Sequence, residues 1–418
     1  VTQPNIVCIV TDDQPTGLLD AMPFTRGALR DVGINFSQGV SPSPLCAMSR
    51  SSFLTGRYAG QDLGIWANSD AASLLAPYEN QTLATALHDV GYHTGLFGKY
   101  MNGWSKLGSQ APSGWDSFAA IAPDDGGDGA YYDYTLQGTL EPEHHGHEYF
   151  DYSTDVLTTK SLEFIEQAPV DQPLFLYYSP YGAHANFVAA PRHIGAWIDA
   201  ITLPPNFNEP NTGKAPWMRA LPLADEARTR RIIKDQHETV MSVDDGVQQI
   251  YAALQADNRA DTLFLFFGDN GLMRGSHRLN GKYVPYKAAT RLQMLARWDG
   301  HYTPGTTNDR ITTPLDFTAT IVQAAGATLP NEGIPIDQGR SGQFLEGGPD
   351  DEDVRPAYIG WRTKQYLYVQ WGGGFEELYD YDADPYEMTN TASTKPSKTA
   401  ELRANAEAAC QPRPPTWP

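Results

Sequence analysis

Three groups of side chains in this sequence have the types and spacing to act together on an anion. The first is Cys46 with Arg50, in Ser41-Pro-Ser-Pro-Leu-Cys46-Ala-Met-Ser-Arg50-Ser-Ser-Phe-Leu-Thr-Gly-Arg57. A proline-broken turn leads into Cys46, and Phe53 and Leu54 follow as a helix would have them. The spacing therefore predicts Cys46 at a helix N-terminus, with Arg50 one turn further along the same face. Free N–H groups and the dipole of a first turn favour a nucleophile that carries negative charge. A buried structural cysteine is the plainer alternative and the commoner role of a lone thiol. The second group is oxygen-rich: Thr11-Asp12-Asp13-Gln14 and Gly268-Asp269-Asn270-Gly271. Adjacent carboxylates repel unless a cation lies beside them, whereas a helix cap or Asx turn would use one aspartate and seldom both. Asp12, Asp13, Asp269 and Asn270 offer oxygen without sulfur or imidazole, a set suited to Ca²⁺ or Mg²⁺ and poorly matched to zinc. The third group is Lys99 and His184, each just past a strand-like run, and Lys282. A histidine there can donate a proton near neutrality, while a lone lysine could simply reach solvent.

These groups need strands to deliver them. Asn5–Val10 is a continuous apolar run of the kind buried on both faces of a parallel sheet, and Thr262–Phe267 repeats the device. Tyr92–Phe97 and Pro173–Ser179 read as further strands, ending at Gly98-Lys99-Tyr-Met-Asn102 and at Pro180-Tyr-Gly-Ala-His184. Residues 33–39 and 293–298 read as strands too. Helices are predicted over residues 23–33, 81–90 (closed by Gly91), from Thr154 or Asp155 onward, 225–254 and 315–325 (closed by Gly326). Asp244-Asp245 falls on the long helix as exposed or capping chemistry. Residues 105–150, rich in Gly, Asp, Tyr and Pro, read as a long surface excursion, and 202–220 as proline-rich coil. His144-His145-Gly-His147 lacks the spacing of a metal site, so His145 is expected on a loop lining the substrate pocket. His277, five residues ahead of Lys282, is a weaker candidate for the pocket wall, as is Asn102. From about 345 the texture changes to short alternating runs between Gly and Asp turns, an antiparallel sheet. The expected division is 1–345 and 346–418.

Composition narrows the function. The chain has 418 residues, 41% hydrophobic and 11% aromatic, enough to bury a large core. Thirty Lys and Arg against 50 Asp and Glu leave a net charge of -20, which argues against broad attraction to nucleic acid or anionic membrane. An anionic substrate would need a locally positive pocket. No run reaches membrane-span length. Cysteines 8, 46 and 410 form no disulfide framework, and Cys8 and Cys410 are expected as free thiols. Val1 is not followed by the charged and apolar regions of a signal peptide.

Cys46-Ala-Met-Ser49-Arg50 followed by Leu54-Thr55-Gly56-Arg57 resembles the type I sulfatase signature C-x-P-S-R-x-x-x-L-T-G-R, within the alkaline phosphatase superfamily. Met48 departs from it, standing where the family usually has proline or alanine. The resemblance implies that Cys46 is oxidised by a formylglycine-generating maturation enzyme to the catalytic aldehyde. It also implies that the divalent cation, Ca²⁺ or Mg²⁺, rests on Asp12, Asp13, Asp269 and Asn270. Lys99 and Lys282 match the two family lysines, and His184 matches the A-P-H-x-P histidine, here flanked by Ala183 and Asn186. Gly98 to Gly103 resembles the branch acting on sulfated amino sugars such as N-acetylglucosamine-6-sulfate, and Leu378 to Asn390 resembles the L-Y-D-L-x-x-D-P-x-E-x-x-N segment of the C-terminal subdomain. The implied fold is α/β: a large mixed sheet between helices, with a smaller C-terminal antiparallel sheet. The implied activity is hydrolysis of a sulfate ester of a sugar, aryl or alkyl alcohol, in a secreted or periplasmic protein, with a cytoplasmic location left open. A phosphonate monoester or phosphodiester hydrolase of the same superfamily is the second reading. A catalytically silent homologue that binds a sulfated glycan is the third.

Overall fold

Alternation along the first strand divides the core in two. The structure, a computed structural model, describes residues 3–107, 110–123, 130–138, 141–330, 333–336, 338, 340–349, 355–414 and 417, without the side chain of Pro123. Successive side chains of a strand point to opposite faces. In β1 (Asn5–Thr11), Ile6, Cys8 and Val10 pack into one apolar cluster and Val7 and Ile9 into another. Helices Cys46–Thr55 and Pro314–Ala325 cover the first face, through Phe53, Leu54, Phe317 and Ile321. Helices Ser153–Gln167 and Glu226–Ala256 cover the second, through Leu157, Ile165, Val240, Val243 and Val247. Every residue of β1 is buried, as an apolar run predicts for a strand covered on both faces.

The other strands of this sheet are β2 (Ile34–Val40), β3 (His93–Gly98), β4 (Ser117–Pro123), β5 (Tyr134–Gly138), β6 (Glu143–His145), β7 (Leu174–Ser179), β8 (Thr262–Gly268), β9 (Arg291–Leu292), β10 (Met294–Arg297) and β11 (Thr306–Thr312). Their spatial order is β11-β2-β10-β8-β1-β7-β3-β4-β5-β6, with β9 beside β2. The four central strands β8, β1, β7 and β3 are mutually parallel, and β10 on one side and β5 and β6 on the other run antiparallel to their neighbours. All four central strands thus end at one rim. Asp12 follows β1, Asp269 follows β8, Lys99 follows β3, and the turn to His184 follows β7. Ligands of open α/β sheets gather at such carboxyl-end rims.

Strands β12 (Gly342–Gly347), β13 (Tyr358–Thr363), β14 (Tyr366–Trp371) and β15 (Glu376–Asp380) form a separate antiparallel sheet in simple meander order. Position 345 lies inside β12. Helix Pro396–Ala409 packs on this sheet through Leu402 and Ala406.

Two expectations change and one holds. Residues 105–150 are not a surface excursion throughout: β4, β5 and β6 extend the main sheet at its edge. Strand β11 and helix Pro396–Ala409 also form where no element was expected, the strand from the polar run Thr-Thr-Asn-Asp-Arg-Ile-Thr. Asp244 does cap: it accepts from Phe24 N at 2.9 Å and Thr25 N at 2.7 Å, at the start of the short helix Pro23–Thr25.

Candidate active site

Helix Cys46–Thr55 begins on Cys46, and all ten of its residues are buried. Leu45 at the cap position offers no side-chain acceptor; instead Asn68 Oδ1 accepts from Ala47 N at 3.1 Å. Gly56 ends the helix at φ 69°, a left-handed conformation that glycine takes without strain. Arg50 lies one turn inward, as the spacing predicts, and is fully buried. Its Nε donates to Asp269 Oδ2 at 2.8 Å, and its Nη1 to Ser179 Oγ at 2.6 Å and to Lys99 O at 3.1 Å. Nη2 stands 3.6 Å from Asp12 Oδ2 and has no hydrogen-bond partner among the described residues. One guanidinium therefore ties the ends of β8, β7, β3 and β1 together.

The remaining groups close around Cys46. Lys282 Nζ donates to Asp13 Oδ1 and to Cys46 Sγ. Lys99 Nζ pairs with Asp12 Oδ2 and lies 5.0 Å over the Tyr181 ring. Cys46 Sγ is 3.5 Å from Asp12 Oδ1. His184 Nε2 is 3.7 Å from Asp13 Oδ2, and its Nδ1 faces Ala185 O at 2.7 Å. At 26% exposed, its side chain is the most open of the cluster, against 13% for Lys282 and 7% for Lys99.

Electrostatics follow from burial and proximity. Burial alone would raise the Asp12 carboxyl, but Lys99, His184, Arg50 and Lys282 pull it far below the usual carboxylate range. Burial would lower Lys99 and Lys282, yet Asp12 and Asp13 respectively raise both above the ordinary lysine value. Burial, reinforced by Asp12, pushes the unmodified Cys46 thiol up to about 12. As a plain thiol it would stay protonated and weakly nucleophilic near neutrality.

The donors fit a hard cation. Carboxylate oxygens of Asp12, Asp13 and Asp269 lie within 4.8 Å of one another, and the neighbouring Asn270 has a buried Oδ1 without a hydrogen-bond partner among the described residues. Asn270 Nδ2 donates to Asp13 Oδ1 at 2.6 Å, which joins the two ligand turns. Asp12, Cys46 and His184 also stand close enough to share an ion, a softer set that exists only while position 46 keeps its sulfur.

The structure thus gathers Cys46, Arg50, Lys99, His184, Lys282, Asp12, Asp13, Asp269 and Asn270 at one point. It does not bring three further candidates there. His145 sits on the edge strand β6, stacked on Tyr134 and 3.2 Å from Glu143. His277 is fully buried between Glu209 and Glu387 rather than exposed on a pocket wall. Asn102 holds a turn, its carbonyl accepting from Ala72 N, and among the described residues no hydrogen bond joins it to the cluster. Sequence reasoning passed over Ser179, Tyr181 and Gln236. Gln236 Nε2 donates to Ala183 O at 3.2 Å and Asp13 O at 3.4 Å, bracing both turns. Its place on the buried side of a long helix was the available signal.

Fold and site together define an α/β protein of the alkaline-phosphatase-like class, with a strand-end cluster built around the start of one helix. Residues 4–327 match the profile of the Sulfatase family, and the chain belongs to that family. Human N-acetylglucosamine-6-sulfatase is 28% identical over 351 residues, 78% of this chain and 62% of its own length. The Drosophila melanogaster extracellular sulfatase SULF-1 homolog is 29% identical over 344 residues, 78% of this chain and 30% of its own. The chain spans 30% to 62% of the length of these first curated relatives. Among solved structures, a protein in complex with its substrate D-glucosamine-2-N,6-O-disulfate superposes with a TM-score of 0.83 at 21% identity, covering 98% of both chains. The phosphonate monoester hydrolase of Agrobacterium radiobacter gives 0.76 at 17% identity, covering 97% and 96%.

Proposed function

We propose that this protein is a sulfuric ester hydrolase acting on a sulfated amino sugar, with a 6-O-sulfated glucosamine as the substrate class. The observation that carries the reading is the convergence of Arg50, Lys99, Lys282 and four oxygen ligands on Cys46 at one sheet rim. In a protein of net charge -20, a concentration of cations around one buried side chain suits an anionic ester. The names of the curated relatives support the sugar. The working unit is residues 1–345, with 346–418 as a supporting subdomain.

Net hydrolysis converts the ester and one water into the alcohol and hydrogen sulfate. Lys99 and Lys282 flank the sulfate and offset the charge that grows on its oxygens as the S–O bond breaks. Arg50 holds Asp12 and Asp269 in register. His184, the most solvent-open member, is placed to give a proton to the departing alcohol oxygen, with Lys282 as the other candidate donor. Asp12, Asp13, Asp269 and Asn270 would hold Ca²⁺ or Mg²⁺, which when bound neutralises a sulfate oxygen. Converted to formylglycine by a maturation enzyme, position 46 would supply a hydrated aldehyde as nucleophile. An exported protein is consistent with such substrates.

Protein made in its native host and loaded with Ca²⁺ or Mg²⁺ tests this. The peptide spanning Asp31 to Arg50 should carry an aldehyde, and an aryl sulfate and N-acetylglucosamine-6-sulfate should be turned over. A large preference for an aryl phosphonate would overturn the ester class. Retention of the thiol with no turnover would overturn catalysis and favour a silent glycan-binding homologue.

A further inference from the structure

A cavity of about 420 Å³, within the range that holds a sugar-sized ligand, is lined by segments that follow the cluster's two acidic turns and by none of the cluster's own residues. Two of its walls are the segments that leave the proposed metal ligands, Pro15–Gly17 after Asp13 and Leu272–Arg274 after Asn270. Arg274, Lys287 and Arg291 line it, and none of the three forms an ion pair among the described residues. Arg274 Nη1 reaches Gln236 Oε1 at 3.5 Å, the same amide whose Nε2 braces Asp13. Among the described residues Lys287 Nζ has one hydrogen bond, to Pro385 O at 3.4 Å, and lies 5.1 Å over the Tyr381 ring. Arg291 donates to Ser37 O and Gln38 Oε1.

Two acidic groups at the cavity, Asp20 and Glu387, offset this charge only in part, Glu387 pulling the Lys287 ammonium upward against burial and Arg362. Glu387 accepts from Lys287 N, at 2.9 and 3.0 Å, and from Tyr381 Oη at 2.7 Å, and Asp20 is exposed. Burial pushes the Arg274 guanidinium down to about 10, and burial together with Arg362 does the same to Arg291 and lowers Lys287. Three cations around one cavity, none in a salt bridge among the described residues and with only two carboxylates in the lining, are costly to hold. They stand in a chain with twenty more acidic than basic side chains, where carboxylate partners are plentiful. Trp197, stacked on His237 with ring centroids 4.0 Å apart, adds an aromatic wall of the kind that receives a sugar face.

We infer that this cavity is a second subsite, where Arg274, Lys287 and Arg291 hold a sulfate or carboxylate on the sugar next to the one whose ester is cleaved. The inference rests on the amino-sugar reading above and extends it from a monosaccharide to a chain. The cation cluster around Cys46 takes the reactive sulfate; this one selects what flanks it.

The test uses the full chain with Cys46 unconverted, so that binding is read apart from turnover. Calorimetric titration compares N-acetylglucosamine-6-sulfate, a tetrasaccharide in which a uronic acid flanks 6-O-sulfated glucosamine, and inorganic sulfate. The double variant R274Q/K287Q should weaken the tetrasaccharide by about tenfold or more, as loss of charge-assisted contacts implies, and leave the monosaccharide within about twofold. K287Q alone, whose ammonium anchors no other element by an ion pair, should give part of that loss with an unchanged melting temperature. Tetrasaccharide binding as tight as wild type in the double variant would overturn the inference. So would equal loss of both saccharides, or a response confined to inorganic sulfate, which would make the cavity a site for the free ion. Should the wild type bind the tetrasaccharide through Arg274 and Lys287 yet hydrolyse no sulfate ester once matured and metal-loaded, the subsite stands and the catalytic reading falls.

Discussion

Arg50 carries more of the site than its single charge suggests. Its guanidinium is a planar fork with fixed donor directions, and here those directions reach Asp269, Ser179 and the carbonyl of Lys99 at once. A lysine would keep the charge and lose the fork. R50K should therefore leave Asp269 without its 2.8 Å partner, lower kcat/KM for a sulfate ester by about 10²–10³-fold, and destabilise the fold measurably. Steady-state kinetics with a parallel melt checks this, and an R50K enzyme of wild-type activity would remove Arg50 from the proposed mechanism. S179A is the milder companion. It strands one buried donor of Arg50 and should cost about 1–3 kcal/mol in denaturant unfolding.

At the scale of elements, the turn before Cys46 is pinned from the other sheet. Glu346 on β12 accepts from Ser43 Oγ at 3.1 Å and Gly60 N at 2.8 Å, one contact on each side of the Cys46 helix. Burial raises its carboxyl from the ordinary value to about 7, and the hydrogen bonds from Gly60 and Ser43 offset only part of that. A carboxyl with a raised folded-state pKa binds its proton more tightly folded than unfolded. Its contribution is complete below the unfolded value near 4.5 and is lost as pH climbs through about 7. The melting temperature should fall over that window, and E346Q should flatten the fall; identical pH profiles for the two proteins would count against the assignment. The central strands were readable because β1, β7 and β8 are short apolar runs buried on both faces, a pattern with few alternatives. Strands β4 to β6 were not: only β6 is an edge strand, but all three are short and stand among Gly-, Asp- and Tyr-rich stretches that interrupt any sustained period. Helix Pro396–Ala409 was missed for a related reason: it buries Thr399, Leu402 and Ala406, too few apolar residues to print a period.

For the molecule as a whole, the site's letters were legible and its surroundings were not. Cys46 opens a helix, with Arg50 one turn inside it, and Lys99 and the two acidic turns follow strands, where local pattern predicts position; Lys282 lies in the loop between β8 and the helix Lys287–Thr290. His277 shows where that logic fails. It is five residues from Lys282, yet it is buried with Glu209 and Glu387, because residues 209 and 387 come from segments that no local pattern ties to it. The same network contains Lys214, which donates to Tyr379 Oη at 2.9 Å, stands 3.7 Å from Glu209, and lies 4.3 and 4.2 Å from the rings of Tyr286 and Tyr379. Its ammonium joins a segment of the main body to β15 of the small sheet, and burial lowers its pKa against the pull of Glu377 and Glu387. K214M keeps the packing and removes the charge, which leaves three buried carboxylates, Glu209, Glu377 and Glu387, short of compensation. Breaking a buried charge cluster from one side costs about 3–5 kcal/mol. K214M should therefore unfold at distinctly lower denaturant while its folded fraction keeps wild-type kcat, since no member of the network touches Cys46. A variant as stable as wild type would mean that apolar contacts alone, such as Tyr286 against Trp371, hold the small sheet to the large one.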